Sequence, residues 1–217
     1  MIIQTFFNKD SNSKLLLNIC ATIAREKKRV LYIDARFNKK PIKRLSNIFT
    51  TFTQSNSVEK SLISLEPNLD VLFGSSKTNE LDFILFSKLV KGNLLSTYFK
   101  DLDYDFIIIE LSPIISPFVQ NFLHFSNQIG IIYNLDKNQT FFLRQIKTFL
   151  EEFSLMYSKK LEITKILPFY SKEIKKENYI NLVNDFSSTI VAYPLQESNT
   201  LKNKKVDLKQ MSKILLQ

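Results

Sequence analysis

Glycine is scarce in this chain, with three residues in 217. None of the three falls in "FFNKDSNSKLLLN" (Phe6–Asn18). That stretch lies between an apolar N-terminal run and an apolar helical segment, where many α/β nucleotide-binding proteins keep a glycine-rich phosphate loop. A backbone that wraps a triphosphate closely needs positive φ at several positions, each costing a non-glycine residue about 1–2 kcal/mol. Cysteine is nearly absent as well. Cys20 has no second cysteine to pair with, and its place on the apolar side of a predicted helix makes it a core thiol. The lone histidine, His124, excludes a histidine-based metal cluster. Long hydrophobic runs are missing too: around "FIIIELSPIISPFV" the apolar residues are interrupted by Glu110, Pro113 and Pro117, too short a stretch to span a bilayer. The start, "MIIQTFFNKD", lacks a basic segment followed by a long apolar one. Together these features lead to the expectation of a cytoplasmic protein.

The residues that are present suffice for a core. Hydrophobic residues make up 44% and charged residues 24%, with no compositional break along the chain, which predicts one domain over 1–217. The formal charge of +9 favours an anionic partner: nucleic acid, a nucleotide or an anionic membrane surface. Lysine is spread over the whole sequence, so a compositional bias of the source genome accounts for the charge equally well.

Short β-rich runs alternate with longer segments of helical period. The runs are "MIIQTFF", "RVLYID", "LDVLF", "YDFIIIEL", "QIGIIYNL", "LEITKIL" and "STIVAYP". Helices are predicted over 13–27, 40–52, 81–99, 117–125, 139–157, 172–186 and 205–215, with 54–60 and 74–80 as surface loops. This order predicts an α/β fold: a doubly wound, mostly parallel sheet with helices on both faces. The almost wholly apolar "FIIIEL" and "IGIIYNL" suit central strands buried on both faces. Ligands of such folds sit beyond the carboxyl ends of the strands, which directs attention to residues 8–14, 34–38, 110–113 and 134–137.

With the strands placed, the chain resembles the ParA/MinD family of P-loop ATPases, the deviant Walker A, SIMIBI class, whose members move and position DNA, plasmids and other cellular cargo. "RVLYID" is similar to the family's second strand ending in an aspartate, and "LDYDFIIIELSP" to its Walker B segment. "STIVAYPLQES" is similar to the late strand with its proline, and "VDLKQMSKILLQ" to the closing helix. The resemblance implies a P-loop NTPase-like fold and a phosphate loop reading KGGxGK(S/T)T. In that loop backbone N–H groups cradle the phosphates, the second lysine reaches the β and γ oxygens, the hydroxyl holds Mg²⁺, and the first lysine reaches across a dimer.

Set against that pattern, Lys9 matches the first lysine and Lys14 the second, but Asp10, Ser11 and Ser13 replace the glycines and Leu15 replaces the magnesium hydroxyl. Counting back from "RVLYID" gives a register two residues different, in which Ser13 takes a hydroxyl position and Asn12 replaces the key lysine. Asp34 stands at the first aspartate of "IDxDxQ", Arg36 replaces the second, and Glu110 stands at the Walker B aspartate, one methylene longer. The resemblance therefore implies a vestigial ATP site formed by Lys9, Ser13, Lys14, Asp34 and Glu110, with no catalytic residue, no resident metal and no bound cofactor. The expectation is a pseudo-ATPase of DNA partition or intracellular positioning. The alternative is an active, ATP- and Mg²⁺-dependent dimerising ATPase with a rebuilt loop; a second alternative is a MinD-like membrane-associated positioning factor.

The resemblance implies a protein partner of ParB-like or cargo-adaptor type and a possible homodimer. Basic clusters at Arg36, Lys39, Lys40, Lys43 and Arg44, at Lys172, Lys175 and Lys176, and at Lys202, Lys204, Lys205, Lys209 and Lys213 are each either a solvated face or a nonspecific DNA contact. Of these, Lys202, Lys204, Lys205 and Lys209 are the DNA-binding candidates. The apolar stripe of the last helix (Val206, Leu208, Met211, Ile214, Leu215) suits packing on the domain better than membrane binding. Phe141, Phe142, Phe149 and Phe153 recur at helical spacing, as core or interface filling.

Overall fold

The computed structural model describes residues 1–10, 14–36, 58–74, 98–99, 101–137, 139–170, 176–186, 189–192, 194–196 and 204–216. In chain order the elements are β1 (Ile2–Asn8), α1 (Leu15–Arg25), β2 (Val30–Ala35), a 3₁₀ turn (Val58–Ser61), β3 (Ile63–Glu66), β4 (Leu69–Leu72) and β5 (Phe106–Leu111). They continue with α2 (Pro117–Phe125), β6 (Gln128–Asn134), α3 (Thr140–Tyr157), β7 (Ile163–Tyr170), α4 (Lys176–Asp185), β8 (Ile190–Val191), β9 (Leu195–Gln196) and α5 (Lys204–Leu216). One nine-stranded sheet runs β3-β4-β2-β5-β1-β6-β7-β8, with β9 also on β7. Among the described residues every pairing is parallel except β3 with β4. The predicted α/β architecture is therefore the observed one. The predicted helices over 40–52 and most of 81–99 lie outside the described residues.

The central strand β5 reads "FIIIEL" and is buried at every position. Its alternate side chains feed two separate cores, because successive residues of a strand point to opposite faces. Ile107, Ile109 and Leu111 join α2 and α3 on one face; Phe106 and Ile108 join α1 and α5 on the other. Helix α1 contributes Leu15, Leu16, Ile19, Cys20, Ile23 and Ala24, a stripe at helical spacing. Helix α2 begins where the sequence offers a cap and a proline: Ser116 Oγ accepts from Val119 N at 3.3 Å and Pro117 opens the first turn. The last helix buries Met211 and Leu215 beside α1, as a core helix does. Of the four phenylalanines of α3, Phe142, Phe149 and Phe153 are buried, while Phe141 lies off that stripe and is 72% exposed.

Three local expectations need correction. "ISLE" forms a strand that alternation did not announce, turned back onto β4 at Pro67 and Asn68; Asn68 takes the left-handed φ of 65° that asparagine tolerates. Val58, placed in a surface loop, is buried in the 3₁₀ turn. Strand β7 does not stop before its proline but runs through Pro168 to Tyr170. Pro168 falls where the outer neighbour of β7 changes from β8, paired at Lys165 and Ile166, to β9, paired at Phe169 and Tyr170. A missing N–H is tolerated at such a gap in the ladder.

Two of the few glycines serve close approaches. At Gly130, in β6, a Cβ would meet the Phe6 ring at 2.1 Å, so Gly130→Ala should destabilise the domain by about 1–3 kcal/mol, as overpacking of a core does. Urea unfolding checks this, and Phe6→Leu in the same chain should recover part of the loss.

Lys165 is buried, with its ammonium donating to the Leu215 carbonyl at 3.2 Å beside Gln4 Nε2 at 2.6 Å. Burial pushes its pKa from 10.5 down to about 8. The unfolded chain therefore holds this proton over a range where the folded chain has released it, and stability rises with pH from about 8 to about 10.5. Lys165→Met should raise the urea midpoint at pH 7 and flatten that rise.

Candidate functional site

The strand register sets the site. Phe6 of β1 and Asp34 of β2 both lie opposite Glu110 of β5, which places Asn8, Tyr32, Asp34 and Glu110 on the α1 face at the carboxyl end of the sheet. Glu110 is 1% exposed. Its Oε1 accepts from Asn8 Nδ2 at 2.5 Å and meets Arg36 Nη1 at 2.9 Å; its Oε2 accepts from the Tyr32 hydroxyl. Burial raises the Glu110 pKa above the usual carboxylate value; Arg36 opposes that shift, and the Asp34 charge adds to it.

Arg36, expected to belong to a basic surface cluster, is instead 1% exposed and turned inward. Its fork grips Asp34 at both oxygens, Nε to Oδ1 at 2.9 Å and Nη2 to Oδ2 at 3.0 Å, while Nη1 also donates to the Asp10 carbonyl at 3.4 Å. Burial by itself would favour the neutral form. The hydrogen bond to Asp34 and the charge of Glu110 outweigh it and hold the guanidinium protonated even more firmly than usual. Burial also pushes up the Tyr32 hydroxyl, helped by Glu110 and Asp34. Gly74 closes the side of the site: a Cβ there would stand 2.6 Å from the Asp34 carbonyl oxygen.

The loop after β1 folds back on its own strand. Asn8 Oδ1 accepts from the Asp10 amide at 2.8 Å, and the Asp10 carboxylate accepts from Asn134 Nδ2 at 3.2 Å and faces Lys137 Nζ at 3.7 Å. Lys9 and Lys14 are exposed, Lys14 being the residue before α1, and Ser13 lies outside the described residues. Of the five expected site residues, the fold thus brings Asp34 and Glu110 into one cluster and leaves Lys9 and Lys14 at the surface.

The donor set does not suit Mg²⁺. Both oxygens of Asp34 are taken by Arg36, both oxygens of Glu110 by Asn8, Arg36 and Tyr32, and the position expected to supply a hydroxyl is the buried Leu15. A hard dication would have to displace a tethered cation and two hydrogen-bond donors to reach a carboxylate.

Tyr32, Asn8 as a donor, and Gly74 are members of the site that motif reading missed. Tyr32 had a signal, since it lies two residues before Asp34 and so on the same face; Gly74 had one in being a rare glycine just beyond a strand. Of the DNA-binding candidates, Lys209 is exposed on α5, Lys204 and Lys205 belong to the same helix with side chains outside the described residues, and Lys202 lies outside them entirely. Lys213 is exposed on α5 and Lys176 at the start of α4, while 39–44, 172 and 175 are outside the described residues.

A family profile described as AAA domain matches residues 11–163. Among solved structures, cobyrinic acid a,c-diamide synthase from Mycobacterium smegmatis superposes with a TM-score of 0.83 at 13% identity, over 99% of this chain and 93% of that one. A plasmid partition protein from Borrelia burgdorferi gives 0.68 at 16%, over 99% and 97%. Apo McdA from Cyanothece gives 0.75 at 12%, over 99% and 93%. No curated protein matches the sequence.

Cys20 lies beneath this site on α1, fully buried. Burial raises its thiol pKa and the Glu110 charge raises it further. A thiol-specific disulfide reagent should therefore leave the native protein unmodified at pH 8 and label one thiol only after unfolding; rapid labelling of the native chain would contradict this environment.

Proposed function

The chain belongs to the AAA domain family and to its ParA/MinD-type P-loop ATPases, and from that membership we propose that it is a positioning protein, of DNA partition or of another intracellular assembly, that works through protein contacts without turning over ATP. The observation that carries this reading is Arg36 seated between Asp34 and Glu110, where the resemblance implies the acid side of a magnesium-nucleotide site. The plasmid partition protein and McdA among the similar structures support the positioning role. Structures of the synthase with an ATP analog and magnesium, and of a Borrelia partition protein with AMPPNP, indicate what the same scaffold holds elsewhere. Against that background the substitutions at Asp10, Leu15 and Arg36 all act in one direction, removing room, hydroxyl and free carboxylate from the nucleotide's side.

The same end of the sheet carries exposed apolar side chains. Ile114 and Ile115 follow β5, at 45% and 61% exposure, and Phe141 opens α3. They suit a protein partner of adaptor type or a second copy of the chain. On α5 the apolar stripe faces inward, leaving Lys209 and Lys213 exposed for nonspecific, salt-sensitive phosphate contact.

Calorimetric titration with ATP and Mg²⁺ tests the reading. The expected result is no heat of binding at micromolar protein and no phosphate release. Submicromolar binding accompanied by turnover would replace the proposal with the active, dimerising ATPase, and Lys14→Ala should then abolish that binding.

A further inference from the structure

We infer that Arg36 is the resident cation of this fold: a guanidinium tethered to the end of β2 that takes over the charge-balancing work of a divalent ion and holds the ends of β2 and β5 in one arrangement, with no metal or nucleotide required. The inference deepens the proposed function and rests on it in one respect, that the acid pair no longer serves a nucleotide.

Asp34 and Arg36 are two residues apart at the end of an extended strand, so both side chains leave the same face. Asp34 is the last acid of β2, and Glu110 lies directly across from it on β5. Two carboxylates this close, at 3% and 1% exposure, cannot both ionise without a cation between them. Arg36 supplies it with a geometry that lysine could not reproduce: three nitrogens of one planar fork reach Asp34 at 2.9 and 3.0 Å and Glu110 at 2.9 Å. The backbone here is closely packed. Gly74 packs where any side chain would strike the Asp34 carbonyl, and a Cβ there would also come within 3.5 Å of the Arg36 carbonyl. Nη1 reaches on to the Asp10 carbonyl, so the same cation ties the loop after β1 to β2 and β5.

A dissociable ion would let these three strand ends respond to its arrival and departure. A covalently attached one cannot leave, so the segment that follows Glu110, Leu111 to Ser116, stays in a single arrangement. The substitution of arginine for a second acid thus does more than disable a site: it removes the variable to which the site responded.

Thermal unfolding of the full chain without nucleotide tests this, comparing EDTA with millimolar MgCl₂ or MnCl₂. The wild type should show the same melting temperature in all three. Arg36→Met should lower it by about 10 °C, the scale for stranding a buried charge in a chain of this length. Adding Glu110→Gln should recover at least half of that loss, because one of the two uncompensated carboxylates goes with it and Asp34 no longer faces a second buried negative charge. Hydrogen exchange over Leu111–Ser116 should accelerate in Arg36→Met and slow again in the double variant. If Arg36→Met does not accumulate as soluble protein, the comparison passes to Arg36→Met/Glu110→Gln, which should be soluble and cooperative.

The inference is overturned if Mg²⁺ or Mn²⁺ stabilises the wild type, if Arg36→Met melts like the wild type, or if Glu110→Gln recovers nothing, the last showing a packing role alone. These outcomes are independent of the calorimetric test. Binding of Mg-ATP by a wild type indifferent to Mg²⁺ alone would remove the proposed function and leave Arg36 as the charge partner of Asp34 and Glu110 in the nucleotide-free protein only, while a metal-induced shift without ATP binding would remove the role of Arg36 and leave the proposed function.

Discussion

A carboxylate that projects from the middle of a doubly covered parallel sheet has nowhere to meet water, and Glu110 is such a group. It follows four apolar residues on β5, with β1 on one side, β2 on the other and α1 above. The cost of burying it is met by donors from each neighbour: Asn8 from β1, Tyr32 from β2, and the guanidinium of Arg36. Most of the local structure follows from satisfying that one group. The inward placement of Arg36 just past β2, the close approach of Gly74 and the folding back of Asp10 onto Asn8 all serve to bring the donors in. Buried ion pairs of this kind add little net stability over an apolar filling, but they penalise any arrangement in which one partner is missing. The network therefore acts mainly by restricting the strand ends to one geometry.

Glycine use shows the same priorities. In a relative with a phosphate loop, glycine would be spent where backbone meets phosphate. In this chain the two described glycines lie instead where backbone meets aromatic ring, at Gly130 against Phe6, and where backbone meets backbone, at Gly74 against Asp34. Both contacts strengthen the sheet and its carboxyl edge. The loop between β1 and α1 receives none, and the lysines that bracket it, Lys9 and Lys14, face solvent.

Much of the fold could be read from the order of residues because its determinants are local and periodic. The continuous apolar runs of β5 and β6, the helical stripes of α1 and α3, and the serine-proline start of α2 each state their structure within a few residues. The misses share the opposite property. "ISLE" is an edge strand with two apolar residues, and only its partner β4 makes it one. Pro168 should end a strand, yet β7 continues because two short neighbours leave a gap beside it. The burial of Lys165, under a helix carbonyl 50 residues further along the chain, is likewise set by a distant partner.

The sequence by itself determined the α/β scaffold, its family, the two carboxylates at the strand ends and the loss of the phosphate-loop glycines, since each is carried by residue type and spacing along the chain. Only the tertiary structure decided what those carboxylates now do. In sequence, Arg36 opens a run of basic residues and invites a surface reading; in space it is folded under, because two buried acids on adjacent strands exert a stronger claim on a guanidinium than solvent does. Charge compensation depends on distance through space, and the 74 residues separating Arg36 from Glu110 along the chain hold no trace of the 2.9 Å that separates them in the fold.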